Sequence, residues 1–233
     1  MGASALRVAA VTCDIIESRR YTGVARQKLN DAVERAFKSI TSSNPDLDFT
    51  KIDFRITAGD EFQFVLRKPE RALDVVIALR SVLAVEGFKP MARFRTAIGV
   101  GEAKFRPARR PDQRPYEWDG PAFIYAREGL ETIKRQRSPV RWTALRTSNS
   151  GSNLQFDVIL GLVDQLQHSW TVAQWEAIAW TLKGLKRQEA ARRLKVAHQN
   201  VSKRLNAAGW AAVDAAMSFV RESLLHPPGG AKP

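Results

Sequence analysis

Cysteine and histidine are scarce in this sequence of 233 residues, which contains one cysteine and three histidines. The single cysteine, Cys13, excludes an intramolecular disulfide. The histidines, His168, His198 and His226, are scattered along the chain and do not form a zinc-binding set with Cys13. Cys13 lies in an apolar stretch, so we expect it to belong to the core.

Long hydrophobic runs are also absent, because no stretch approaches the ~20 apolar residues of a membrane-spanning helix. The first residues, MGASALRVAAVTCDII, contain neither the basic segment nor the cleavage site of a secretion signal. We therefore expect a cytoplasmic protein without a membrane partner.

Acidic residues are few relative to basic ones: 24 Asp and Glu stand against 37 Lys and Arg, which gives a net charge of +13. A surplus of cations attracts polyanions, because binding releases their counterions. Nucleic acid is therefore the leading expected partner. A generally basic protein without such a partner could have the same composition. Only the positions of the cations can distinguish it from a nucleic-acid-binding protein.

The apolar pattern of the first half predicts an α+β fold. Apolar runs over residues 6–16, 51–57, 61–67 and 91–101 predict strands, and helical periodicity over residues 23–40 and 69–87 predicts helices. This βαββαβ order is that of the ferredoxin-like, or palm, sandwich, an antiparallel sheet with both helices on one face. The proline- and arginine-rich segment 102–116 predicts a loop.

The second half of the chain is helical in pattern throughout and follows a polar break, TSNSGSN. The predicted organisation is a palm-like α+β domain over residues 1–147, a linker over 148–153, an all-α helix-turn-helix domain over 154–225 and a disordered tail over 226–233.

One segment of the helical half, RQEAARRLKVAHQNVSKRL, has helix-turn-helix spacing. The residues that we expect to face outward and contact DNA are Gln199, Asn200, Ser202, Lys203 and Arg204. Amides pair with adenine edges, and cationic side chains pair with guanine or phosphate. A plain helical hairpin would also have a polar outer face, but the Gln-Glu-Ala-Ala run before the turn favours the helix-turn-helix.

The predicted hairpin FRITAGDEFQFVL contains two adjacent carboxylates, Asp60 and Glu61, in its turn. The first and third strands are central in the predicted sandwich, so Asp14, at the end of the first strand, lies near Asp60. Two close carboxylates repel each other unless a cation lies between them, and Mg²⁺ holding a nucleotide triphosphate would fit. Alternatively, Asp14 caps the following turn and Asp60 is an ordinary turn residue.

The turn that follows Asp14 contains Ser18 and Arg19. Backbone N–H groups and cations at such a strand-to-helix turn can hold phosphate. A solvated loop explains the same residues equally well.

These motifs resemble known families. CDIIES, KIDFRITAGDEF, FRTAIGVGEA and DGPAFIYAREGL resemble the class III nucleotidyl cyclases in order and spacing, over about residues 6–135, and AGDEF also resembles the signature turn of diguanylate cyclases. Together with the carboxyl-terminal QEAA motif, the chain most resembles the SatD family over nearly its full length.

The resemblance implies particular site residues. The metal ligands would be Asp14, the Ile15 carbonyl and Asp60; the catalytic residues would be Asp14, Asp60 and the phosphate-contacting Arg127; and the nucleotide-binding residues would be Ser18, Arg19, Gly59, Glu61 and Arg127. The implied cofactors are Mg²⁺ or Mn²⁺ and a nucleotide triphosphate or nucleotide second messenger. Phe123 stands where cyclases have Asn, so a transition-state contact is missing and efficient cyclase chemistry is not expected.

The sequence thus predicts a DNA-binding regulator whose palm-like domain binds Mg²⁺ and a nucleotide. A homodimer is expected, because helix-turn-helix proteins usually bind two half-sites. The alternative is an enzyme, a nucleotidyl cyclase or nucleotidyltransferase with an accessory helix-turn-helix domain.

Overall fold

The computed structural model describes residues 5–44, 55–58, 60–89, 91–107, 116–136, 138 and 140–227. The strands are β1 Leu6–Ile15, β2 Arg55–Ala58, β3 Glu61–Leu66, β4 Phe94–Pro107, β5 Tyr116–Asp119 and β6 Thr143–Arg146. The helices are α1 Gly23–Ser43, α2 Ala72–Ala84, α3 Pro121–Gln136, α4 Ser150–His168, α5 Val172–Leu182, α6 Arg187–Leu194, α7 His198–Ala207 and α8 Trp210–Leu225. The fold is mixed α+β.

The sheet is built around β1, which pairs antiparallel with β3 on one side and with β4 on the other. The strand order β2-β3-β1-β4 puts the first and third strands in the middle, as the sequence predicts. The sheet differs from an all-antiparallel one at β6, which runs parallel to the first half of β4.

The prediction of a loop over residues 102–116 is wrong for its first part, residues 102–107, which belong to β4. β4 continues to Pro107 and pairs with β5, with Lys104 opposite Asp119 and Pro107 opposite Tyr116. Proline argues against a strand in a sequence pattern, but Pro107 is the last residue of β4 and lies at the end of its ladder with β5. Residues 108–115 lie outside the described part of the chain.

Side chains of β1 alternate between two apolar layers, as a strand buried on both faces requires. Val11 and Cys13 belong to the core formed with α1 and α2, whereas Val8 and Ala10 pack on the α3 side. The two predicted helices therefore share one face of the sheet, and α3 covers the other. A Cβ atom at Gly99 would collide with the α3 backbone, so this glycine permits the close approach of α3 to β4.

The helices from α4 to α8 share one continuous apolar core with the α1 and α2 face of the sheet. α4 begins at Ser150, so the last residues of the predicted linker lie in its first turn. The last helix reaches back to the start of the chain, where Arg7 Nη2 donates a hydrogen bond to the Leu224 carbonyl oxygen at 2.8 Å. Within the described residues, every helix is too short or too polar to cross a membrane.

A buried polar network connects α2, β6 and α4. Arg80 Nη1 donates to Thr143 Oγ1 at 2.9 Å and to Gln167 Oε1 at 3.0 Å, and it lies 3.5 Å from Asp164 Oδ1. Asp164 Oδ2 accepts the backbone N–H groups of Trp142 and Thr143 at 2.7 Å each. Burial raises the pKa of Asp164 and lowers the pKa of Arg80, and the attraction between the two opposes both shifts. The network fixes α4 against the sheet.

Candidate functional site

The carboxyl end of β1 and the β2–β3 turn meet at one edge of the sheet. Asp14 lies directly opposite Glu61 in β3 and opposite Arg95 in β4. The Ile15 backbone N–H donates to the Asp60 carbonyl oxygen at 3.0 Å. The pairing register thus brings together the backbones of the acidic residues that the sequence singles out.

The Asp14 side chain is only 9% exposed, and each of its carboxylate oxygens has a cationic partner. Arg95 Nη1 lies 3.0 Å from Oδ2, and Lys134 Nζ lies 2.9 Å from Oδ1. Lys134 Nζ is also 2.9 Å from Glu61 Oε1. Partial burial lowers the pKa of Lys134, but hydrogen bonds to Asp14 and Glu61 outweigh that effect and raise it above its ordinary value.

The Asp60 carboxylate holds the turn that follows β1. Ser18 Oγ donates to Asp60 Oδ2 at 2.6 Å, and Arg26 Nη2 donates to the Ser18 carbonyl oxygen at 3.1 Å. Ser18 begins a short 3-10 turn, and the residue before it, Glu17, has a left-handed backbone with φ of 55°. A non-glycine residue in that region is strained and needs support from its surroundings. The Asp60–Ser18 hydrogen bond supplies part of that support.

A cavity of about 440 Å³ lies beside the end of β1. Its lining residues are Ile16, Glu17, Arg20, Tyr21, Met91, Arg93, Arg95, Ser138, Trp142 and His168. Arg20 forms an ion pair with Glu17 at 3.0 Å, and the Arg93 guanidinium lies 5.1 Å from the centroid of the Trp142 ring. Among the described residues, Arg93 has no carboxylate within ion-pair distance. The cavity thus contains three guanidinium groups and a single lining carboxylate.

Some of the sequence-predicted site residues lie elsewhere. Arg127 is on an exposed part of α3, with 84% of its side chain accessible, and its partner is Glu131 at 3.7 Å. Arg19 is exposed and is not among the residues that line the cavity, whereas its neighbour Arg20 is. Gly59 lies outside the described residues.

The cations at the site are the residues that sequence reasoning missed. Arg95 could have been found from strand register, because it faces Asp14 across β1 and β4. No local sequence pattern identifies Lys134 as a site residue, because it lies in a helix distant in sequence and reaches Asp14 only through tertiary packing.

The predicted metal ligands are of a suitable chemical type, since Mg²⁺ prefers oxygen donors. Their arrangement does not fit a prepared metal site. In the described part of the chain, no group of three or more His, Cys, Asp and Glu side chains could hold a metal ion. The Lys134 ammonium lies between Asp14 and Glu61, and Asp60 accepts a hydrogen bond from Ser18.

A second region of interest is the pair of short helices α6 and α7. Lys195, with φ of 54°, ends α6 in a left-handed conformation and begins the turn. Val201 and Leu205 are buried, whereas Gln199, Asn200 and Lys203 are exposed. The remaining predicted DNA contacts are less accessible: Ser202 is half-buried, and Arg204 forms an ion pair with Glu176 of α5 at 3.1 Å.

Three solved structures are similar to this chain over 57–99% of its length. A class III adenylyl cyclase-like ATP-binding protein from Pseudomonas aeruginosa is 18% identical, with 99% of this chain and 46% of that chain covered, at a TM-score of 0.46. The guanylyl cyclase Cya2 is 13% identical, with 57% and 73% covered, at a TM-score of 0.43. The adenylyl cyclase CyaB from P. aeruginosa is 12% identical, with 57% and 74% covered, at a TM-score of 0.42.

Among curated proteins, none matches the sequence. The family model of the SatD family matches residues 8–213, which is most of the chain and confirms the resemblance seen in the motifs.

Proposed function

This chain belongs to the SatD family, and we propose that it is a nucleotide-binding protein whose ligand places its phosphates in the cavity beside the end of β1. The observation that carries the proposal is the set of three guanidinium groups, from Arg20, Arg93 and Arg95, on one cavity. Guanidinium groups bind phosphate through paired, charge-assisted hydrogen bonds, so a cluster of them favours a polyanion.

The size and walls of the cavity suit a nucleotide. Its volume of about 440 Å³ lies in the range of small-molecule sites. The rings of Tyr21 and Trp142 contribute apolar surface, while the arginines contribute charge. Arg93 is the key residue, because it brings a cation without a carboxylate partner among the described residues.

Thermal unfolding with each nucleotide triphosphate and with cyclic dinucleotides, measured in EDTA and again in Mg²⁺, tests this proposal. A ligand that binds only the folded state raises the melting temperature. The Arg93→Ala variant should bind at least about tenfold more weakly, since hydrogen bonds to charged groups contribute on the order of 1.5–3 kcal/mol. Arg192→Ala, which removes the same charge from an exposed position of α6, should bind like the wild type. A wild type that responds to none of these nucleotides would refute the proposal.

The second candidate is an enzyme, a nucleotidyl cyclase or nucleotidyltransferase. It is favoured by the adjacency of Asp14, Ile15 and Asp60 at one sheet edge. These residues would hold Mg²⁺ or Mn²⁺ only if Lys134 left Asp14, and Arg127 would have to act from an exposed position. Mass spectrometry of nucleotides incubated with the protein and Mg²⁺ separates the candidates, because only the enzyme forms a new product.

We further propose that α6, the turn and α7 form a helix-turn-helix that binds DNA, so that the nucleotide regulates DNA binding. The support is the exposed polar face of α7 together with the net charge of +13. Residues 154–225 would act as the DNA-binding part, and a homodimer would match two half-sites. Such a regulator would work in the cytoplasm, where its DNA and nucleotide partners are.

A further inference from the structure

Asp14 and Glu61 place two negative charges close together in the sheet. The two residues are directly opposite each other in the β1–β3 pairing. Like charges in that position repel and destabilise a sheet. Lys134 Nζ lies 2.9 Å from an oxygen of each carboxylate, which is the position of a bridging cation.

The ammonium is held there by a rigid element. Lys134 lies in the last turn of α3, where a cation also interacts favourably with the helix dipole. α3 packs closely on the sheet because Gly129 lies against Ala97 and Ala144, and because Gly99 leaves room for the α3 backbone. The close packing fixes the backbone of α3 against the sheet, and Lys134 extends from its last turn to Asp14 and Glu61.

The charges of the four side chains that form these ion pairs, Asp14, Glu61, Arg95 and Lys134, cancel. Asp14 and Glu61 contribute two negative charges, and Lys134 and Arg95 contribute two positive charges at distances of 2.9–3.0 Å. A divalent cation added among them would face an ammonium and a guanidinium at close range, and this repulsion would oppose its binding. The cluster differs in this respect from a pair of free carboxylates, which attracts a metal.

We propose that Lys134 is the resident cation of this site and excludes a divalent metal, so that the adjacent cavity binds its phosphate ligand without one. The first half of the proposal stands on the Asp14–Lys134–Glu61 geometry alone. The second half rests on the proposed nucleotide binding.

Titration of Mn²⁺ without nucleotide, followed by the electron paramagnetic resonance of free Mn²⁺, tests the first half. The wild type should bind Mn²⁺ only weakly. Lys134→Ala should gain a site and bind Mn²⁺ at least about tenfold more tightly than the wild type, because two opposed carboxylates then lack their bridge. Adding Asp14→Asn to Lys134→Ala should abolish the gain.

Arg135→Ala is the matched control, because it removes one positive charge from the neighbouring position of α3, where Arg135 is 77% exposed and pairs with Glu131. It should bind Mn²⁺ as the wild type does. If Lys134→Ala does not fold, Lys134→Met keeps the aliphatic length without the charge and should show the same gain. A wild type that binds Mn²⁺ as tightly as the Lys134 variants, or variants that gain no site, would overturn the proposal.

The melting temperature of the wild type with nucleotide, measured in EDTA and again in Mg²⁺, tests the second half. Equal stabilisation in both is expected, and stabilisation that appears only with Mg²⁺ would contradict metal-free binding. If no nucleotide stabilises the protein under either condition while Lys134→Ala gains Mn²⁺, the proposed function fails and the role of Lys134 stands.

Discussion

Cys13 lies in the middle of the core and is completely buried between the sheet and its helices. Burial raises the pKa of its thiol to about 12, although a hydrogen bond with Thr96 and the charge of Arg80 act in the opposite direction. The thiolate is the reactive form of cysteine, so this thiol is inert in the folded protein.

We predict two measurable consequences for Cys13. It should react with Ellman's reagent only when the protein unfolds. In addition, the pKa of the thiol is 9.0 in the unfolded chain and about 12 in the folded protein. Between these values the folded state binds more protons than the unfolded state, so the free energy of unfolding falls as pH rises.

The slope that Cys13 contributes to this fall is at most about 1.4 kcal/mol per pH unit, and Cys13→Ala should remove it. Denaturant titrations of the wild type and the variant at alkaline pH measure the difference in slope. Rapid modification of the native protein, or equal slopes, would contradict the assignment.

Lys134 gives a pH dependence of the same sign as Cys13, but it begins at a higher pH. Its folded-state pKa is raised, so the stability that it contributes is present below its unfolded value of 10.5 and is lost as pH rises through the folded value. The Asp14–Lys134–Glu61 cluster should therefore persist throughout the neutral range.

At the scale of elements, the exposed face of α7 makes the DNA proposal testable. Lys203→Ala should weaken binding to genomic DNA fragments and reduce the slope of log affinity against log salt by about 1, because one phosphate contact is lost. Asn200→Ala should weaken binding with little change in that slope, because an amide contact releases no counterion. Filter binding at several salt concentrations measures both effects.

The control for these variants is Lys28→Ala, which removes an exposed positive charge from α1. It should leave DNA affinity unchanged. If Lys203→Ala binds DNA with wild-type affinity and salt dependence, α7 does not contact DNA. Arg204→Ala is a poor probe, because Arg204 also forms an ion pair with Glu176 at 3.1 Å and its loss would disturb the packing of α7 on α5.

Local patterns were sufficient to predict most of the elements. The buried run of β1, the hairpin and the helical character of residues 154–225 all follow from spacing. The extension of β4 to Pro107 and the parallel position of β6 were missed, because each depends on a partner strand that is not adjacent in sequence. The cations around Asp14 were missed for the same reason.

At the scale of the whole molecule, the Arg80–Asp164 network shows why the helical half is not independent of the sheet. Arg80 is 5% exposed and Asp164 is fully buried, and no pattern of alternation or helical spacing predicts charged residues in such places. Removing one partner of a buried pair leaves an uncompensated charge, which is strongly destabilising.

Asp164→Ala should therefore lower the free energy of unfolding by roughly 3–5 kcal/mol. Because α4 and the sheet share one core, tryptophan fluorescence and circular dichroism should report a single transition. Asp157→Ala, on the same helix, is the comparison: its carboxylate is 33% exposed and pairs with Arg141 and Arg146, so its loss should cost much less. Equal effects of the two variants would argue against the network as the main link.

The hydrogen bond from Arg7 to the Leu224 carbonyl has a consequence for the order of events during synthesis. β1 is the central strand, and α8, which reaches back to it, is made more than two hundred residues later, since the two partners are 217 positions apart. α8 also supplies Arg221, which binds the Asp74 carboxylate on α2 at 3.0 Å. Until Leu224 leaves the ribosome, the apolar surface that α8 covers stays open, and incomplete chains with such surfaces tend to aggregate. A chain that is cut short before α8 is therefore expected to aggregate more readily than the full sequence.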